Sequence, residues 1–158
     1  MNTSRVLLLI SILFASTVNI VLAQPIEVTN TQNLNFGFFC QTDNTGGTVT
    51  VSNTGSRSAT GNITLISSSY SCAAFTITTD STNQFSLQIS QPEIDISGSN
   101  GGSMLLQIGS SNPEFPTIAT GQPATIYLGG TLNVDSRSEN PAGTYSGNYL
   151  LYFNFYYE

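Results

Sequence analysis

The residues of this chain that could do chemistry are few, and most are carboxylates. Glu93 and Asp95 flank Ile94, so both would share one face of a strand, and Asp135 and Glu139 lie close together in sequence. Paired carboxylates can act as general acid and nucleophile or base in glycoside hydrolysis, and clustered acids can hold Ca²⁺. No loop carries the regular ligand spacing of a calcium site. His and Lys are absent, which removes the imidazole of a triad or proton shuttle and the amine of a Schiff base or phosphate loop. With Trp absent as well, little remains from which to build a sugar cleft around a carboxylate pair. The chain is therefore read as a non-enzyme with no cofactor and no metal site.

The elements that would position these groups have a distinctive composition. Charged residues are 8% of the 158 and the formal net charge is −6, yet 39% of residues are hydrophobic. The three Arg provide no basic face for phosphates, so nucleic acid and anionic head groups are poor partners. Low charge with ample hydrophobicity and many Ser, Thr, Asn and Gly residues suits half-buried β-structure with polar outer faces.

Alternating runs recur at Leu34-Asn35-Phe36-Gly37-Phe38-Phe39, Thr48–Ser52, Asn62–Ile66, Ala74–Thr78, Phe85–Ile89, Met104–Ile108 and Thr125–Val134. Period-two hydrophobicity with β-branched and aromatic residues predicts strands, and the Gly-, Asn- and Ser-rich punctuation predicts turns or bulges between them. Gly129-Gly130 is one such expected turn or bulge, and 110–123, with three prolines, is the longest expected irregular connection. No helical stripe follows Ala23. The fold class is all-β, a sandwich.

Arg5, the apolar run Val6–Phe14 and Val21-Leu22-Ala23, with small or β-branched residues around a cleavage point, predict a signal peptide over 1–23. The remainder, 24–158, is then one exported domain, meeting the membrane only through export. In an exported chain the isolated pair Cys40 and Cys72 reads as a disulfide rather than a metal or catalytic site, with two independent buried thiols as the alternative. Such a bridge would contribute about 3–4 kcal/mol on the chain-entropy estimate.

The strongest pattern lies at the end. Tyr145, Gly147, Tyr149, Leu151, Phe153, Phe155 and Tyr157 occupy alternate positions, predicting one long strand whose apolar face belongs to a core or an interface. Two readings stand: a core strand of a self-contained immunoglobulin-like sandwich, or a strand bordering a groove from which a neighbouring strand is missing.

These residues resemble the C-termini of bacterial chaperone–usher pilus subunits, with Gly143 and Gly147 preceding an alternating last strand and a penultimate Tyr157. A resemblance spanning most of the chain is to a family of exported, pilin-like proteins classed as a domain of unknown function. It is carried by Leu34-Asn35-Phe36-Gly37, Gly46–Val51, Arg57–Gly61, Ala74–Ile77, Leu128–Val134 and Ala142–Gly147. The resemblance implies an immunoglobulin-like, pilin-type β-sandwich, complete or lacking its last strand. It implies a structural subunit of a surface fibre, passing through the periplasm to the cell surface or medium. Its partners would be pilin-like subunits in a homo- or hetero-polymer, a periplasmic chaperone and an outer-membrane usher. On this reading Tyr145 to Tyr157 form the subunit or chaperone interface, and Ile26 and Val28 are the donor-strand residues. The alternative is a self-contained secreted adhesin or glycan-binding module.

Overall fold

The computed structural model describes residues 26–90 and 93–157. The expected signal peptide, 1–23, lies outside them. The described residues contain strands and no helix: β1 Ile26–Gln32, β2 Phe39–Gln41, β3 Gly47–Val51, β4 Arg57–Gly61, β5 Ile63–Leu65, β6 Ala73–Thr79, β7 Phe85–Ser90, β8 Ile94–Gly98, β9 Ser103–Asn112, β10 Thr117–Ile118, β11 Ala124–Val134, β12 Tyr145–Ser146 and β13 Tyr152–Tyr157. All pairings between them are antiparallel. The chain is an all-β sandwich.

The first layer is an eight-stranded sheet in the order β1-β6-β11-β9-β8-β12, with the β3–β4 hairpin also joined to β11. β11 is the axis of the fold and changes partner halfway. Ala124 to Leu128 pair with β6, and Gly130 to Val134 pair with β3. The β9 ladder on its other side shifts register between Leu128 and Gly130. Gly129-Gly130 therefore lies inside a strand, at a bulge, and not at a reversal of the chain. Neither glycine has positive φ. They are required for close approach, because a Cβ on Gly129 would meet the Val51 carbonyl and come 2.6 Å from the Asn53 nitrogen.

The second layer is in two pieces, a three-stranded sheet β10-β7-β13 and a two-stranded sheet β2-β5. Each covers a different part of the first. Phe75 and Ile77 of β6 and Ile126 and Leu128 of β11 pack with Phe85 and Leu87 of β7 and with Ile118 of β10. Val49, Met104, Leu106, Leu132 and Val134 form the other cluster, beneath Phe39, Ile63 and Leu65. Leu34, Ile108 and Tyr149 touch both clusters.

Several expectations are revised. Leu34 to Phe38 is not a strand: Gly37 turns left-handed at φ +67°, and only Asn35 bridges to Ser71. The 110–123 connection is ordered, since β9 runs on to Asn112 and β10 buries Ile118 completely. The expected Cys40–Cys72 bridge is absent, and both thiols are free, Cys40 exposed and Cys72 buried. Cys40 lies on β2 opposite Thr64, whereas Cys72 lies beside Ser71, which bridges Asn35, so the two cysteines belong to different pairings.

Candidate functional site

The alternating C-terminal residues do not form one strand. Tyr145 and Ser146 pair with Gly98 and Ser97 of β8, whereas Tyr152 to Tyr157 pair with Ser90 to Phe85 of β7. The segment thus passes from the eight-stranded sheet to the three-stranded one. Among the described residues, the backbone of 147–151 hydrogen-bonds to no other segment. Gly147 sits at the start of this crossing, where a Cβ would press to 2.9 Å from Ile96 Cγ2. The alternation nevertheless survives the break. Tyr145, Tyr149, Leu151, Phe153 and Phe155 are half-buried and point inward, while Leu150, Tyr152 and Tyr156 point out. Phe153 meets Phe75 edge-on with ring centroids 5.5 Å apart, and Tyr157, though exposed, lies 4.9 Å from Phe85.

None of the side chains from 145 to 157 is fully buried, which for such an apolar run calls for a reason. It is a cleft of about 1150 Å³ separating the two pieces of the second layer, larger than the roughly 300–1,000 Å³ of ordinary small-molecule pockets. One wall is 30–41 and the other is the crossing segment with its approach, 140–153. The floor is the core itself: Phe75, Ile96, Met104, Leu106, Leu132 and Val134. β13 and β12 are outermost in their sheets, and β2 pairs only with β5, so both walls are sheet edges with unused hydrogen-bonding capacity. Among the described residues, Arg137 is the one charged residue of the lining, beside amides such as Asn30, Asn33 and Asn148.

The N-terminal wall is held from behind. Arg57 Nη1 donates to the Phe36 carbonyl and Nη2 to the Ile66 carbonyl, each at 2.8 Å. Phe38 N donates to Ser68 Oγ at 2.7 Å. Below it, Arg137 Nη2 donates to the Gln41 carbonyl, and Gln41 Nε2 to that of Asp135. Buried Asn140 ties the C-terminal wall to the sheet, accepting from Asp135 N and donating to the Ser103 carbonyl, both at 2.6 Å. Tyr145 Oη donates to the Pro141 carbonyl at 2.8 Å. Burial pushes the Tyr149 and Tyr145 phenols above their ordinary range.

The other sequence-derived residues fall elsewhere. Ile26 and Val28 pair with Thr79 and Ile77 of β6 and pack on the domain's own core, so they act here as an integral strand. Glu93 and Asp95 are exposed, with Glu93 Oε1 accepting from Gln107 Nε2 at 2.5 Å. Glu139 is exposed and accepts from Ser136 Oγ. Among the described residues, no group of three or more His, Cys, Asp or Glu converges as metal ligands. The N-terminal wall and its Arg57 anchor escaped the sequence reading; the only signal was Leu34-Asn35-Phe36-Gly37, an apolar run broken by a glycine.

Residues 26–155 match the family model described as Domain of unknown function (DUF4402), and the chain belongs to that family. No curated protein and no solved structure matches the chain.

Proposed function

We propose that this chain is an exported, pilin-like structural subunit of a surface fibre, whose cleft accepts an extended β-strand from a neighbouring subunit or a periplasmic chaperone. One observation carries the reading: the second layer is split into β10-β7-β13 and β2-β5, and the gap lies over the hydrophobic core between two sheet edges. A single strand entering it would hydrogen-bond to both edges and unite the two pieces. Its alternate apolar side chains would pack on the half-buried wall residues Leu34, Phe36, Tyr149 and Leu151. That is strand addition, in which the backbone supplies affinity and side-chain pockets supply register. The domain is then immunoglobulin-like with one strand contributed from outside. Scarcity of charge suits the role, because edges without Lys lack the charged protection usual in monomeric β-proteins. Export would take the subunit through the periplasm to the surface, with an usher as its assembly platform.

The test uses the exported chain and synthetic peptides of alternating apolar and polar residues. A peptide that fits the cleft raises the melting temperature and protects the amides of 147–151 from exchange, while a scrambled peptide of the same composition does neither. A concentration-independent monomer, with no ordered polymer and no response to any alternating peptide, would overturn the proposal.

A further inference from the structure

The outer face of β10-β7-β13 sets tyrosine rings among neutral polar side chains. Register places Thr117, Ser86 and Tyr156 side by side across the three strands, then Gln88 beside Asn154 and Ser90 beside Tyr152. Phe115 precedes Thr117 by two residues and is exposed as it is. Tyr152 and Tyr156 are each 52% exposed, so two aromatic rings remain in water among amides and hydroxyls, and Phe115, 65% exposed, stands just before β10.

The geometry points to a binding platform for a neutral polysaccharide on this face. Three observations favour that occupant. None of the side chains which the register turns outward carries a charge, so the face complements neither a phosphate backbone nor a charged peptide. The rings are interleaved with Gln88, Asn154, Ser86 and Ser90 and do not form a continuous apolar patch, unlike the apolar centre of a protein interface. The side chains of Asn154 and Ser90 make no hydrogen bond to any described residue, and that of Gln88 receives only a long one, 3.4 Å, from Tyr156 Oη. Neutral sugars present C–H faces to aromatic rings and hydroxyls to amides, which is the alternation found here. Tyr152 and Tyr156 are about 13 Å apart along the strand, a span suited to a chain of sugars more than to a single ring.

This platform is independent of the cleft. Tyr152, Asn154 and Tyr156 point away from the core, while Leu151 and Phe153 line the cleft, so a strand filling the cleft leaves the platform open.

Affinity electrophoresis of the exported chain through gels containing a β-glucan, a xylan or a galactan tests the assignment. At least one should retard the protein. Tyr152→Ala with Tyr156→Ala should weaken that retardation about tenfold or more, and Gln88→Ala with Asn154→Ala should also weaken it, with the melting temperature of both variants close to that of the parent. An alternating peptide bound in the cleft should leave retardation unchanged, which separates this result from the fate of the fibre proposal. Absence of retardation in every gel, retardation that survives both double substitutions, or self-association abolished by the tyrosine variant without any carbohydrate effect would each overturn it.

Discussion

The Arg57 guanidinium lies 4.7 Å from the centroid of the Tyr70 ring while its two terminal nitrogens hold the carbonyls of Phe36 and Ile66. One side chain therefore joins β4, the 36–38 wall and the loop after β5. The planar fork makes this possible, and a lysine ammonium cannot reproduce both bonds together with the stacked ring. Arg57→Lys should cost about 1–2 kcal/mol and Arg57→Ala somewhat more, given that hydrogen bonds from charged groups contribute about 1.5–3 kcal/mol when well buried and this one is half-buried. Denaturant unfolding checks the magnitude. In exchange measurements, amides of 36–38 should lose protection before those of β11. Equal loss throughout the domain would show that Arg57 acts on global stability and not on the wall.

Gly129 and Gly55 offer opposite tests of why a glycine is needed. A Cβ at Gly129 would collide with the Val51 carbonyl and the backbone of Ser52 and Asn53, whereas a Cβ at Gly55 meets open space but must adopt φ +81°. Backbone neighbours cannot swing aside as a side chain can. Gly129→Ala should therefore cost about 3 kcal/mol, the upper end of overpacking effects, and Gly55→Ala about 1 kcal/mol from the left-handed backbone alone. Paired denaturation curves would decide it; a larger loss for Gly55→Ala would contradict the crowding at the β6-to-β3 partner change on β11.

The strands with a buried face were legible because alternation reports a buried face wherever one exists. Gly47–Val51, Phe85–Ser90 and Ala124–Val134 lie where the pattern put them, within a residue or two. The same pattern misled at Leu34–Phe38, where apolar residues line a cleft and only Asn35 pairs, and at Tyr145–Tyr157, where the face persists across a change of sheet. Periodicity records which side of the chain meets the core and is silent on which neighbour supplies the hydrogen bonds. Half of the cleft was therefore visible in the C-terminal residues. The other half depends on contacts of Arg57 and Ser68 with residues distant in sequence, which no local pattern encodes. The cysteines failed for a related reason: composition and compartment suggested a bond, whereas Cys40 opposite Thr64 and Cys72 beside the Asn35–Ser71 bridge sit in different pairings and remain free.

The two thiols should differ in reactivity. Cys40 is exposed on β2, while Cys72 is 6% exposed beside Ala73 at the start of β6, its carbonyl accepting from Gln32 Nε2 at 2.7 Å. A thiol reagent should label Cys40 rapidly in the folded protein and reach Cys72 only on unfolding, since the reagent must reach the sulfur to react. Mass spectrometry of the labelled peptides gives the result. Loss of both thiols in the native exported protein, restored by reductant, would mean that the segments repack to bring the cysteines together.

The half-buried phenols of Tyr149 and Tyr145 add an alkaline dependence to stability. Tyr149 and Tyr145 are pushed above 10.0 by burial, so between about pH 10 and the raised folded values the unfolded chain has released protons that the folded chain retains. The unfolded state then binds fewer protons, and stability falls as pH rises. Their contribution is complete below about pH 10 and is lost as pH climbs through the folded values. Asp43 works in the opposite sense: the Thr45 amide and hydroxyl, helped by Arg137, hold its carboxyl below 3.8. Its contribution is present above that value and disappears as pH falls through the lowered one. It is small, because the group is fully exposed. Tyr149→Phe removes one phenol from the cleft wall, so the variant should lose less stability than the parent between about pH 9 and pH 11. Denaturant midpoints across that range measure the difference, and identical slopes would exclude Tyr149 as a source. A strand peptide seated in the cleft would bury Tyr149 further, and ultraviolet titration of the complex should then show its phenol ionising at still higher pH.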